Sequence, residues 1–523
     1  MNVSILRTVV RRSHRALAAV EQRWPYLLAL LSVFFLAVNI LLDANRPVSN
    51  DELFTFYISR QPTLHDVWSA LLTGAEQLPL FFFVVVRLFT RVFGTNQTTL
   101  RLPETLGFLL MGVSIFLFVR RRVPGSYALV AFIFPAVTDA YYYANEARPY
   151  GLVMGFCGLA MLSWQSAADG RKRPLSLIAT SVFLACAVNS HYYAVLLLVP
   201  FGFAELVRYF ERRRFDWAMY IAISCSVLPL LLSLPVIRAA SAFSSHFWAK
   251  PNWTSLISFY ERLLQPAALT LMLLALISGL AVYWRTDEAG EEKPGSAASA
   301  HEFGLAFGFL LIPTVAILLA KFVTGAFTPR YSIYAVIGLS MLLAWTLAKI
   351  ARNARVLGLF LAAAAVGCWL VLAVRNYQQF VANQLDEDTT FEFLASVPDG
   401  LPLVLVSPHE FFVQSHVAAQ KGRGHFVYLA DVALALKYTE TDTVERGLMA
   451  LKNYAPLDVE DYRSFAATHP RFLLYGFPSS YGWLMQELID SGRPVSVKTR
   501  NGDNVLYLVE RPGNSIGSAG SAR

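Results

Sequence analysis

Charge is scarce in this sequence: Asp, Glu, Lys and Arg make up 15% of its 523 residues, against 55% hydrophobic ones. That balance is too apolar for an ordinary soluble domain and too patterned for a disordered chain. Cysteine is nearly absent, and the four present, Cys157, Cys186, Cys225 and Cys368, all sit inside apolar runs. A thiol there behaves as a small buried hydrophobe, so neither a disulfide framework nor a zinc site is expected. A continuous basic patch is also lacking. The net charge of +8 comes from short basic clusters between apolar runs, which argues against nucleic acid as a partner and for membrane topology. No small-residue cleavage site follows the first apolar run, 25–42, which lies behind Arg7, Arg11, Arg12 and Arg15. That run reads as a retained first helix instead of a removed signal peptide. No internal repeat is visible, which weakens a transporter built from two matching halves.

What the chain does contain is a series of apolar stretches long enough to cross about 30 Å of hydrocarbon. They lie at 25–42, 102–119, 125–144, 150–168, 175–190, 192–208, 217–237, 265–284, 303–320, 331–348 and 356–374. A further run, 79–93, holds Arg87 and Arg91 one helical turn apart, each costly at a bilayer centre by roughly 2.5 to 3.5 kcal/mol. It is read as an interfacial juxtamembrane helix. With that choice every basic cluster falls on the cytoplasmic side, as basic residues in short loops tend to do. These clusters are the N-terminal arginines, Arg120 to Arg122, Arg171 with Lys172 and Arg173, Arg208 with Arg212 to Arg214, Arg285, and Lys349 with Arg352 and Arg355.

The expected fold is therefore mostly α: a polytopic transmembrane helical bundle of about eleven spans over residues 1–375, with interfacial juxtamembrane helices. After Asn376 the character changes. Short buried strands near 401–406 and 471–475, an amphipathic helix near 480–491 and a hairpin turning at Asn501-Gly502 predict a small C-terminal α/β extracytoplasmic domain over 376–512. Residues 513–523, rich in Gly and Ser, read as a disordered tail. The N-terminus is expected in the cytoplasm of a cell whose inner, or plasma, membrane holds the chain. Chemistry is then expected on the outer face, which receives 43–101, short loops near Glu146, His191 and Arg330, the loop 238–262, and everything after Arg375.

Three groups on that face could carry chemistry. Asp51 and Glu52 follow the first span; they read either as a solvated helix start or as a general base, which needs a proton acceptor within hydrogen-bond reach of the reacting hydroxyl. Glu146 and Arg148 stand in a tight turn, with Tyr150 just after the Pro149 that suits the next helix start; they read as a local ion pair in an interfacial tyrosine belt or, with Tyr150, as binding residues. His191 and Tyr192, Lys250, and Arg330 with Tyr331 add positive charge and aromatic surface. Each alone is a plausible interfacial anchor. Together with Arg148 they could clamp an anion, since fixed cations in a partly dry site stabilise the charge that builds on a departing phosphate.

These residues resemble the GT-C class of membrane glycosyltransferases, especially the branch holding protein O-mannosyltransferases, aminoarabinose transferases of lipid A and lipopolysaccharide core galacturonosyltransferases. The resemblance covers about residues 20–350. It rests on Asp51-Glu52 in a long first outer loop, Arg101-Leu102-Pro103 opening the second span, and Glu146-Ala147-Arg148-Pro149-Tyr150 after the third. It implies a hexosyl- or pentosyltransferase that moves a sugar, with inversion, from a polyprenyl-phosphate donor in the membrane lipid. The acceptor would be extracytoplasmic: lipopolysaccharide, another glycan, a glycolipid or a protein. Asp51 would be the base, Glu146 would face the cavity, and the cations would hold the lipid phosphate. Relatives carry His-Pro-Pro-Leu before the juxtamembrane helix, where this chain reads Gln77-Leu78-Pro79-Leu80, so no role is carried over for that histidine. No metal or other cofactor is assigned, although Asp51, Glu52 and Glu146 are of a type that could bind a divalent cation. The alternative from another class is a lipid or polysaccharide transporter of the cell envelope, whose outer charges would line a pathway.

Overall fold

The computed structural model describes residues 23–241, 243, 246–285, 298–398, 400–477 and 482–511. The N-terminal arginines, the expected tail 513–523 and most of the loop 285–302 lie outside the described residues. The principal helices are α1 (Trp24–Asn45), α2 (Asn50–Ser59), α3 (Leu80–Phe93), α4 (Gln97–Arg120), α5 (Tyr150–Ala168), α6 (Arg173–Ser190), α7 (Leu198–Arg212), α8 (Ala300–Leu319) and α9 (Pro408–Lys421). By internal contacts the chain divides into two units. One comprises Met1–Arg46, Leu78–Ile237 and Ala249–Val381; the other comprises Pro47–Gln77, Arg238–Trp248 and Ala382–Arg523.

The first unit is a membrane bundle. Among the described residues, eight helices are long and apolar enough to cross a bilayer, and shorter apolar helices occupy Gly125–Val137, Ala268–Ala281 and Ala335–Ile350. Together they match the eleven stretches expected from hydropathy, and the chain is an integral membrane protein. Two stretches depart from straight spans. The run 125–144 is helical only to Ile133 and continues as two 3-10 segments, Phe134–Val137 and Asp139–Ala144. Pro135 has no N–H to donate to the helix. The stretch 331–348 likewise opens with a 3-10 turn at Pro329–Ser332. The helix α3 has 14 residues, a rise of about 21 Å, which falls short of a hydrocarbon core. It buries Phe82, Phe83, Val86 and Arg87 and exposes Leu88, Val92 and Phe93.

Polar side chains gather at the two ends of this bundle. At one end Arg101, with no exposed surface, donates to the carbonyls of Asp43 (2.9 Å) and Arg46 (2.7 Å), acceptors that the end of α1 leaves unsatisfied. The buried Asp43 carboxylate accepts from Asn145 Nδ2 (2.8 Å) and lies 2.9 Å from the Thr105 hydroxyl. Arg46 donates to Asn145 O (2.6 Å) and stacks over Tyr142 at 4.4 Å. At the other end Arg122 makes a forked bond to Glu302, which also accepts from Gln165 Nε2 (2.7 Å). There too, Trp164 Nε1 and Arg208 donate to Glu205 (2.8 and 3.0 Å). From Arg101 to Arg120 α4 rises about 28 Å at 1.5 Å per residue, close to the hydrocarbon thickness of a bilayer.

Between the polar ends α4 and α5 pack backbone to backbone. A Cβ on Gly107 would stand 2.5 Å from Gly151 O, and one on Gly155 would stand 2.6 Å from Gly107 O. Gly151 and Gly155 form the small-xxx-small pattern that lets membrane helices approach closely.

The second unit contains a six-stranded sheet: β1 (Leu403–Leu405), β2 (Val427–Ala430), β3 (Asp458–Asp461), β4 (Arg471–Gly476), β5 (Val495–Asn501) and β6 (Asn504–Glu510), in the order β3-β2-β1-β4-β6-β5. β3, β2, β1 and β4 are parallel, while β6 runs antiparallel between β4 and β5. The hairpin turns at Gly502-Asp503, between the paired Asn501 and Asn504, and Gly502 takes φ +57°, a conformation that side-chain-bearing residues disfavour. The expected C-terminal α/β domain is present, with Val404, Leu429, Phe472, Leu474 and Trp483 in its core.

The close approach of α4 and α5 is testable. Gly151→Val should cost about 1 to 3 kcal/mol through overpacking and lower the Tm of the detergent-purified protein. Gly202→Ala, where nothing lies within 4 Å of the added methyl, should leave the Tm level or slightly raised. Matching Tm values for the two would show that the glycine contact is dispensable.

Candidate active site

The turn between the tyrosine run and α5 is wound tightly: Arg148 N donates to Glu146 O and Tyr150 N to Arg148 O, both at 2.7 Å. Such i to i+2 bonds leave little freedom at 146–150. Glu104 secures the helix that follows, its fully buried carboxylate accepting from Leu152 N at 2.8 Å. That bond satisfies one of the orphan donors at the start of α5. Glu146 and Arg148 are both buried, and the Tyr142 hydroxyl donates to Glu146 Oε1 at 3.2 Å.

His191 ends α6 in an extended conformation and stands among aromatic rings. Its ring centroid is 5.2 Å from Tyr150 and 5.4 Å from Tyr331. Tyr143 extends the cluster to Tyr150 (4.8 Å), and Tyr193 stacks on Tyr331 at 4.1 Å. The Tyr193 hydroxyl in turn donates to Ala326 O (2.7 Å), which ties the cluster to the loop before Arg330. Burial, then the Arg148 guanidinium, then that of Arg330 push the His191 pKa down to about 3. The imidazole is therefore neutral at physiological pH. Its Nδ1 accepts from Tyr193 N at 3.1 Å, which leaves the proton on Nε2. Arg330 also borders a small recess lined by Asp139, Tyr143, Arg262 and Ile333.

Arg148, Tyr150, His191, Arg330 and Tyr331 are thus brought together, with Glu146 bonded to Tyr142 alongside. Tyr192 is not among the cluster's ring contacts, and its hydroxyl faces Ser233. Lys250 is exposed; its neighbour Ala249 accepts from Phe327 N at 3.1 Å, so this segment runs beside the loop that leads to Arg330. Tyr143 and Tyr193 complete the cluster; in the sequence they stand in the runs Tyr141-Tyr142-Tyr143 and His191-Tyr192-Tyr193 without a role assigned to either. The only available signal was their place in aromatic doublets and triplets.

Asp51 and Glu52 belong to the second unit, in the first turn of α2. Ser49 is the N-cap there. Its side chain accepts from Glu52 N (3.4 Å), and Glu52 Oε2 accepts from Ser49 N (2.9 Å), a reciprocal capping box. Glu52 is fully buried in that role, whereas Asp51 is partly exposed. Among the described residues no three His, Cys, Asp or Glu side chains are grouped so as to hold a metal ion.

Comparison with known proteins adds to this geometry. Residues 77–238 match the family model described as dolichyl-phosphate-mannose-protein mannosyltransferase. No curated protein sequence matches the chain. Two crystal structures of ArnT from Cupriavidus metallidurans share its fold: one bound to undecaprenyl phosphate (TM-score 0.55) and one in the apo state (TM-score 0.58). Each is 13% identical and covers 93% of this chain and 98% of its own. The chain therefore has the fold of ArnT over nearly its whole length, and from residue 77 to residue 238 it resembles the mannosyltransferase family in sequence as well.

Proposed function

We propose that this protein moves a sugar, with inversion, from a polyprenyl-phosphate donor to an acceptor on the outer face of the inner membrane. The observation that carries the reading is the arrangement around His191, where two guanidiniums act on one neutral, buried imidazole inside a tyrosine-lined cluster. Most of that cluster lies within the matched segment 77–238, and a fold relative has been crystallised with undecaprenyl phosphate.

In this reading Arg148 and Arg330 hold the donor phosphate, with Lys250 at the approach. His191 offers its Nε2 proton as a neutral donor, and Tyr150, Tyr331 and Glu146 face the sugar. The acceptor oxygen attacks the anomeric carbon as the bond to the phosphate oxygen breaks. The acceptor proton passes to Asp51, and the polyprenyl phosphate departs with the electron pair of the broken bond. Glu52 supports this step by holding the first turn of α2 through its capping box.

The full-length protein should release undecaprenyl phosphate from at least one of three donors: undecaprenyl-phosphate mannose, aminoarabinose or galacturonic acid. Hydrolysis or transfer from none of them, by a well-folded preparation supplied with an envelope glycolipid extract, would sink the reading. Arg330→Gln should lower kcat/KM for the active donor by about 10²-fold, the scale of removing one preorganised donor to developing charge, without lowering membrane abundance. Unchanged donor kinetics would make Arg330 an interfacial anchor. Asp51→Asn should lower kcat by roughly 10²-fold to 10⁴-fold, the usual range for lost general-base assistance, with donor binding retained. If Asp51→Asn keeps the parental rate while Glu52→Gln is inactive, the base has been assigned to the wrong neighbour.

A further inference from the structure

Helix α2 has ten residues, too few to be stable in isolation, so packing must hold it. Its partner in the second unit is α9, and the contacts are specific. Phe54 meets Phe412 edge-on at 5.1 Å, Tyr57 stacks on Phe412 at 5.9 Å, and Phe56 meets the His416 ring edge-on at 5.0 Å. A polar contact sits in this apolar seam, the Tyr57 hydroxyl 2.9 Å from His416 Nδ1, both residues being buried. The other ring nitrogen of His416 lies 2.8 Å from the Gln420 side-chain amide, one turn further along α9. The imidazole is thus gripped on both nitrogens and cannot rotate without losing a bond. Beyond the end of α2, Gln61 Nε2 donates to Tyr454 O at 2.8 Å, a second anchor on the same unit.

We infer that Tyr57 and His416 are positioning residues, through which the C-terminal domain sets the placement of the helix whose first turn carries Asp51. A purely apolar seam would tolerate sliding of a short helix. A hydrogen bond between two buried groups does not, because a shift leaves both unsatisfied, and buried polar groups without partners are strongly disfavoured. Both partners suit a lasting contact. Burial, opposed by Arg60, raises the Tyr57 pKa to about 12, and burial followed by Arg60 lowers that of His416 to about 4. Phenol and neutral imidazole therefore face each other throughout the physiological range. The inference rests on the proposed role of Asp51 as base, and the test separates the two.

Tyr57→Phe keeps the ring packing and removes the hydroxyl. In the full-length protein it should lower kcat by about tenfold to 10²-fold, the scale expected of a misplaced reacting group, with donor KM within about twofold of the parent. Amide hydrogen exchange should rise across 53–59 while β1, β2 and β4 keep their protection. His416→Leu should behave in the same way, and His416→Asn, whose side-chain amide retains a hydrogen-bond donor near the position of Nδ1, should recover most of the loss. Parental kcat and parental exchange in Tyr57→Phe, beside an inactive Asp51→Asn, would overturn the positioning role and leave the base assignment standing. A fully active Asp51→Asn would remove the base assignment and the catalytic role of the contact with it, and exchange would still report whether Tyr57 and His416 hold the helix. A general loss of protection in Tyr57→Phe would mark a merely structural bond and would also count against the inference.

Discussion

Arg101 has no exposed surface, and its guanidinium does not give up its charge in a folded protein. A buried cation of this kind is tolerated only where acceptors surround it. It takes two from the carbonyls at the end of α1, and much of the geometry at that end of the bundle follows. With α1 fixed against α4, the Asp43 carboxylate lies between Thr105 and Asn145, and Arg46 reaches the Asn145 carbonyl. Asn145 begins the turn that winds through Glu146 and Arg148 into α5. The placement of Arg148 is thus inherited in part from Arg101, 47 positions earlier.

The opposite end obeys the same rule with different partners. Glu302 and Glu205 are almost wholly buried, and each is bonded to an arginine and to a neutral donor. Taking either charge out of water costs several kcal/mol, which only close and multiple hydrogen bonding offsets. Both carboxylates lie near helix ends, where their arginine partners can reach them: Arg122 follows α4, and Arg208 lies in the last turns of α7. Between these layers α1, α4 and α5 present aromatic and aliphatic surface, with Phe35 stacked on Phe108 and Trp369. A permeation pathway would instead be expected to carry ionisable groups through the middle of the slab.

The spans were legible because hydropathy is a local property and a bilayer asks for about 20 consecutive apolar residues. What broke them was less legible. Pro135 was in plain view, yet a proline inside an apolar run can kink a helix as well as end it, and here it ends one. The turn Glu146-Arg148-Pro149 was readable for the same local reason, while the partners of Arg101 were not, since they come from another helix 55 to 58 residues away. Tyr192 and Tyr193 show a different limit. They begin a 3-10 segment, a geometry with its own rotation per residue, so the neighbour that joins the cluster could not be chosen from an α or β period. For Asp51 and Glu52 the local signal is stronger than the expectation drawn from it. Ser49-Asn50-Asp51-Glu52 reads Ser-x-x-Glu, the capping-box pattern, and that pattern on its own assigns Glu52 to the helix start.

That assignment and the neutrality of His191 bear on how charge balances in the proposed reaction. A phosphate monoester leaves with a charge of about −1.5 to −2 at pH 7, whereas the donor, a diester, carries about −1. In the proposed reaction the guanidiniums of Arg148 and Arg330 face that growth in negative charge, with Lys250 at the approach and Glu146 alongside. Were His191 protonated, the cluster would carry a further positive charge beside the two arginines. Burial among tyrosines prevents this: desolvation acts first on His191 and the two arginines add to it. The histidine is left to do what a neutral imidazole can do at this place, donating one N–H in a fixed direction set by the bond from Tyr193 N to its other nitrogen. Direction without added charge favours the bond-breaking step, where negative charge grows at one oxygen, over tighter binding of substrate and product alike.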